Sequence, residues 1–261
     1  MSGINIEAAI QVAAPSDPGE VGRENHRWWD RLMIKTGNVV AWLFPILMVA
    51  IVAQVIMRQA GHNQAWLDDA QWWMYGFAML TGFGYAITTQ SHVRVDILHA
   101  QYSDRKKARI EVFAIGWLLL PFLLIMTDVL VHYAWASIIA GEGSDSPNGL
   151  HGLYLLKSSL PLMFVVAILA AWGVFHRNLK VFSPITLAKV MLWTAPAALF
   201  LIARVIHYGL YWFYFLTQPD LNPRRITNEP IFDSVGPISL GVFIVLLALG
   251  FFLYKTSKSG E

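Results

Sequence analysis

The chain has 261 residues, of which 56% are hydrophobic and only 14% charged, with a formal net charge of +2. Soluble domains carry about 25% charged residues, so this balance points to lipid, and so small a net charge, with no long basic tract to grip phosphates, argues against a nucleic-acid partner. The lack of cysteine excludes disulfides, thiolate metal sites and cysteine nucleophiles.

Residues 1–24 read as a cytoplasmic tail, because Pro15, Asp17, Pro18, Gly19 and Glu20 oppose regular structure. They lack a basic start and an unbroken apolar stretch, so no signal peptide is expected. The run NHRWWDRLMIKTG follows. Trp28, Trp29, Leu32 and Met33 can share one helix side, with Arg27, Asp30 and Arg31 on the other. That pattern fits an amphipathic helix lying on the membrane or a cytosolic extension of the first span. Residues 1–36 form the first segment.

Six apolar runs come next. A span needs roughly 20 apolar residues, and a helix satisfies its own backbone in lipid. The fold class is therefore an all-α integral membrane protein with six transmembrane helices, near 37–57, 69–89, 111–138, 155–175, 186–216 and 235–254. Pro45 is expected to kink the first, and Pro196 to tilt or kink the long fifth. Gly76, Gly82 and Gly84 in the second are small enough to admit a neighbouring helix.

Lys and Arg in the loops set the orientation. Of the 19, 14 fall on the side holding both termini, the 2–3 loop and the 4–5 loop, and 4 (Arg58, Lys157, Arg224, Arg225) on the other; Arg204 lies inside span five. Both termini are thus expected in the cytoplasm.

Polar residues interrupt this pattern at a few places. Arg58 and Asp69 flank the short 1–2 loop, where they either pair or face a soluble partner. After the second span, SHVRVDIL alternates His92, Arg94 and Asp96 with apolar residues, the period of an extended segment. Arg94 suits a lipid phosphate or a carboxylate, and Asp96 a helix cap. His92 and Asp96 lack a third ligand, so no metal site is expected. The loop GEGSDSPNGLHG offers Glu142, Ser144, Asp145 and Asn148 to a periplasmic partner, and Lys157 is placed to snorkel to outer headgroups. Asp128 and His132 share one face of span three, and Arg204 and His207 lie deep in span five. Charges there face protein or water, so an interhelical contact such as Asp128 with Arg204 is expected. His132 and His207 keep open an alternative, the haem-b anchor of a respiratory oxidoreductase. No internal repeat and no Ser/His/Asp or H-E-x-x-H pattern suggests an autonomous carrier or enzyme.

The run LDDAQWWMYGFAMLTGFGYAITTQSHVRVDIL, residues 67–98, resembles the DctQ-type small membrane subunit of tripartite ATP-independent periplasmic (TRAP) transporters. That pattern has an Arg closing span one, an acid opening span two, a Gly about ten residues before a His, and the H-V-R-V-D stretch. Here these are Arg58, Asp69, Gly82, His92, Arg94 and Asp96. Gln71–Trp72, EGSDSPNGL and LLKSSLPL resemble the mannitol/chloroaromatic branch, although Asp69 stands where that branch has Glu. The likeness covers residues about 37–175, which suggests a four-span core over 37–180 and a two-span C-terminal hairpin over 181–261.

The resemblance implies a non-catalytic subunit of the bacterial inner membrane with no cofactor. Such a subunit scaffolds a large membrane transport subunit in sodium-driven organic-acid uptake and helps dock a periplasmic substrate-binding protein. Membrane lipids are its other partners.

Overall fold

Long apolar runs without β-favouring alternation produce helices throughout. A computed structural model describes residues 19, 24, 26–91 and 101–259, with side chains through residue 256, and contains no strand among them. The helices are α1 (Trp28–Ala41), α2 (Leu43–Gln59), α3 (Ala65–Thr89), α4 (Asp104–Phe113), α5 (Leu120–Ala140), α6 (Leu153–Phe182), α7 (Leu187–Trp193), α8 (Ala195–Thr217) and α9 (Val235–Ser259). A π-helical stretch, Ala114–Leu119, joins α4 to α5. Two 3-10 turns, Pro223–Asn228 and Pro230–Ser234, lead into α9.

Five described segments are long and apolar enough to cross a membrane: Trp28–Gln59, Asp104–Ala140, Leu153–Phe182, Ala195–Thr217 and Pro230–Thr256. Helix α3 has 25 residues, about 37 Å at 1.5 Å per residue, and so matches the others in length. Asp68, Asp69, Gln71 and its threonines make it less apolar. Those hydroxyls turn back on the helix: Thr81 donates to the Phe77 carbonyl at 2.9 Å, Thr88 to Gly84 at 3.1 Å and Thr89 to Tyr85 at 2.9 Å.

Prolines punctuate these spans by removing a donor and crowding the carbonyl four residues back. Pro45 would face the Ala41 carbonyl, and the helix is interrupted next to it, at Trp42. Pro121 is the second residue after the π-helical stretch. At Pro196 the predicted kink is a full break. Thr194 leaves helical geometry at φ −119°, ψ 25°, so the fifth segment is a seven-residue helix followed by a 23-residue one.

The chain forms two compact units. The first comprises Met1–Val95 and Ser137–Gly173, the second Asp96–Ala136 and Val174–Glu261. In the first, α3 packs against both α1 and α2. Lipid supplies no hydrophobic drive between helices, so close backbone approach at small residues matters most. A Cβ on Gly84 would lie 2.8 Å from the Met33 sulfur. Gly76 and Gly82, by contrast, have nothing within 4 Å of a would-be Cβ. Among the described residues, only Gly84 of the three glycines is used for close packing.

The polar and apolar sides of α1 also differ from the sequence reading. Asp30 is fully buried while Trp28 and Leu32 are exposed. The cause is local: Asp30 turns back to accept the Arg27 backbone N–H at 3.0 Å, capping the first turn. That turn packs on α6, where a Cβ on Gly173 would come within 2.9 Å of the Asp30 carboxylate.

In the second unit, α9 packs on α7 and α8, and α8 on the π-helical stretch. A Cβ on Gly116 would collide with the Trp193 carbonyl, and one on Gly250 would sit 2.8 Å from the Ala188 nitrogen. Phe175, Val174, Leu179, Val112 and Leu123 are buried in this unit.

Candidate functional site

Two polar assemblies stand out, one in each unit. The first ties the loop between α5 and α6 to the start of α3. Helix α5 ends at Gly141, whose φ of +60° is a left-handed turn suited to glycine. The chain then folds back on itself. The Ser144 N–H donates to the Leu150 carbonyl at 3.2 Å, and the Ser146 N–H to the Ser144 hydroxyl at 3.2 Å. The Leu150 N–H donates to the Asp69 carboxylate at 2.9 Å, and Gly149 is buried against Ser144 and Asp69, where a Cβ would collide with both.

On the far side of the loop, Lys157 of α6 donates to both carboxylate oxygens of Glu142 at 2.6 Å. These bonds hold the Glu142 carboxyl below the usual glutamate value. Lys157 is therefore engaged within the protein and does not reach out to headgroups. The loop carries Asp145 to Asn148 as its exposed tip. Ser144 and Glu142 are half-buried and serve the loop's own geometry.

Arg58 does not meet Asp69. It lies 3.5 Å from Asp68, an exposed pair. Adjacent helix residues point about 100° apart, so α3 presents Asp68 to the end of α2 and Asp69 to the loop. One turn further in, Gln71 donates to the buried Gln54 side chain and, at 3.4 Å, to the Ala50 carbonyl. Gln54 was overlooked in the sequence. A lone amide within an apolar span was the signal available. Trp72 points outward and is 72% exposed. Gly82 lines an open groove of about 260 Å³ with Gly37, Ala41, Ala78, Thr81 and Tyr85. His92, Arg94 and Asp96 lie outside the described residues.

The second assembly joins α5 to α8. Asp128 accepts an ion-paired hydrogen bond from Arg204 and a second bond from the Tyr208 hydroxyl at 2.6 Å. Tyr208 also lies 2.8 Å from His132 Nε2. Residues four apart on a helix share a face, so Asp128 and His132 on α5 meet Arg204 and Tyr208 on α8. Tyr208 was missed in the sequence, although its spacing from Arg204 pointed to it. His207 stands apart from the ion pair, edge-on to Tyr208 and Phe232 at centroid distances of 5.6 and 5.1 Å.

Asp128 is largely buried and Arg204 about one-third exposed. This arrangement neutralises a carboxylate at membrane depth and fixes two helices in register. It does not favour the haem-anchor alternative, because Tyr208 occupies His132 Nε2 and its ring stands beside both histidines. Among the described residues no three His, Asp or Glu side chains gather as a metal site.

These features define a multi-pass helical membrane protein whose polar side chains mainly engage one another. Residues 47–181, just over half the chain, match the family model described as "Tripartite ATP-independent periplasmic transporters, DctQ component". The chain belongs to that family, a transporter component and not an enzyme family. No curated protein and no solved structure matches it.

Proposed function

We propose that the chain is the small membrane subunit that holds a large transport subunit in the bacterial inner membrane. Transport by that assembly is driven by sodium and imports organic acids, as in the mannitol/chloroaromatic branch that the Gln71–Trp72 and Glu142–Leu150 segments resemble. The family match over residues 47–181 carries this reading. It spans α3, the 2–3 loop and the folded α5–α6 loop.

In this reading α3 is the sixth crossing, both termini are cytoplasmic, and residues 181–261 are an addition to the four-span core. Arg58, Asp69, Gln71, Trp72 and Gly82 serve the contact with the large subunit, together with His92, Arg94 and Asp96. Trp72 supports this role by projecting away from the chain's own helices. The tip at Asp145 and Asn148 faces a periplasmic substrate-binding protein, with Glu142 and Ser144 shaping it from behind.

The test is a gentle-detergent pull-down of the tagged protein from its native membrane. A stoichiometric, larger and strongly hydrophobic partner is expected by mass. Recovery of the chain alone, or with a soluble redox subunit, overturns the proposal.

A further inference from the structure

One end of the second unit gathers cations that no carboxylate among the described residues neutralises. Helix α4 brings Arg105, Lys106, Lys107 and Arg109; α6 ends with Lys180; α7 carries Lys189. Packing brings these helix ends together. The Arg109 guanidinium lies over the Phe182 ring at 5.6 Å, and Phe182 meets Trp193 of α7 edge-on at 5.7 Å. Lys189 lies 5.9 Å from the Tyr254 ring of α9. Lys106 sits over Tyr102 at 3.6 Å.

None of the six cations meets a carboxylate among the described residues. Three of them, Lys106, Arg109 and Lys189, lie against aromatic faces, which orient a cation without cancelling its charge. Arg105, Lys106, Arg109 and Lys180 are exposed, and Lys107 and Lys189 half-exposed. Among the described residues the acids of this end are Asp104 and Glu111, and Glu111 already has a partner. The other end of the unit has the opposite balance, with Asp220, Glu229 and Asp233 against Arg224 and Arg225.

We infer that the α4–α6–α7 end is a binding surface for anionic phospholipid headgroups. The chain crosses a bilayer, so the groups nearest these cations are headgroups, and a phosphodiester supplies the missing countercharge. Aromatic rings beside the cations suit the same depth, where amphipathic rings settle at the headgroup level. The inference is independent of the transport assignment, because it concerns lipid and not the large subunit.

The test uses the full chain in mild detergent, titrated with an equimolar mixture of phosphatidylglycerol and phosphatidylcholine and read by native mass spectrometry. Phosphatidylglycerol adducts are expected to exceed phosphatidylcholine adducts by at least about fivefold, the weight of a single cation at an anionic surface. The preference is expected to vanish in the variant carrying R105Q, K106Q, K107Q and R109Q, and to survive in R224Q/R225Q. Equal adducts on the wild type, an unchanged preference in the fourfold variant, or its loss in R224Q/R225Q each overturn the inference. Where the fourfold variant aggregates, the wild type in rising sodium chloride decides. A declining preference supports the surface, and a salt-independent one overturns it.

Discussion

Tyr208 donates to Asp128 at 2.6 Å from one helical turn beyond Arg204, which pairs with the same carboxylate. One acid on α5 therefore takes two donors from a single face of α8. This joins the core of the second unit to the helix that follows the break at Thr194. Removing the acid alone leaves a guanidinium without its partner at membrane depth. Asp128→Asn is expected to destabilise by about 2 kcal/mol, less than the ~3–5 of a fully buried pair because Arg204 is partly exposed. Tyr208→Phe is expected to cost about 1 kcal/mol, in the range of interhelical hydrogen bonds in lipid. Adding Arg204→Met to Asp128→Asn should recover part of the loss. Equilibrium unfolding in mixed micelles measures all three, and additive losses would show that the pair is not coupled.

Asp69 holds the loop through one backbone amide. Asp69→Asn keeps the shape and weakens the acceptor, for an expected loss of about 1 kcal/mol. Cleavage by an added protease should rise within residues 141–152 and not elsewhere. Asp69→Glu, which keeps the charge but lengthens the reach, should give an intermediate rate. Wild-type cleavage in Asp69→Asn would show that the loop is held by other means.

The Lys157 bonds depress the Glu142 carboxyl below its usual value of 4.5. A depressed acid contributes stability that is fully present above the unfolded value and is lost as pH falls through the folded one. The melting difference between wild type and Glu142→Gln should therefore be constant near neutrality. It should shrink only below about pH 4.5, the value cited above. A difference that grows on acidification would reverse the assignment.

Gly116 leaves no room for a side chain beneath the Trp193 carbonyl. Gly116→Ala is expected to cost about 1–3 kcal/mol by overpacking, with a lowered melting temperature in detergent. Gly82→Ala, where no described residue lies within 4 Å, should leave the isolated chain unaffected. If Gly82→Ala keeps the melting temperature but loses the large subunit in pull-down, the open groove serves the partner.

The membrane helices were legible because lipid demands long apolar runs, and Pro45 and Pro196 announced where those runs would be interrupted. The i, i+4 spacing of Asp128 with His132 pointed to a shared face for the same reason. Other features turn on facts that a residue string does not carry. Arg58 had two adjacent acids to choose from, and the helix phase of α3 decided for Asp68. The partner of Asp69 is a main-chain N–H, which any residue at position 150 except proline would offer. Asp30 looked solvent-facing by its chemistry, yet its capping bond places it inside. The glycines of α3 were alike in sequence, and only the path of α1 distinguishes Gly84 from Gly76 and Gly82.

The break at Thr194 has a further consequence. In an unbroken helix the Leu192 carbonyl would accept from residue 196, but Pro196 has no N–H to give. Trp117 fills that role, its indole nitrogen lying 3.3 Å from the Leu192 oxygen. A side chain on one helix thus substitutes for a backbone donor on another. The two positions should be inherited as a pair: a relative that replaces Trp117 with a non-donor is expected to have regained an N–H at 196. Pro196→Ala should likewise compensate for Trp117→Phe.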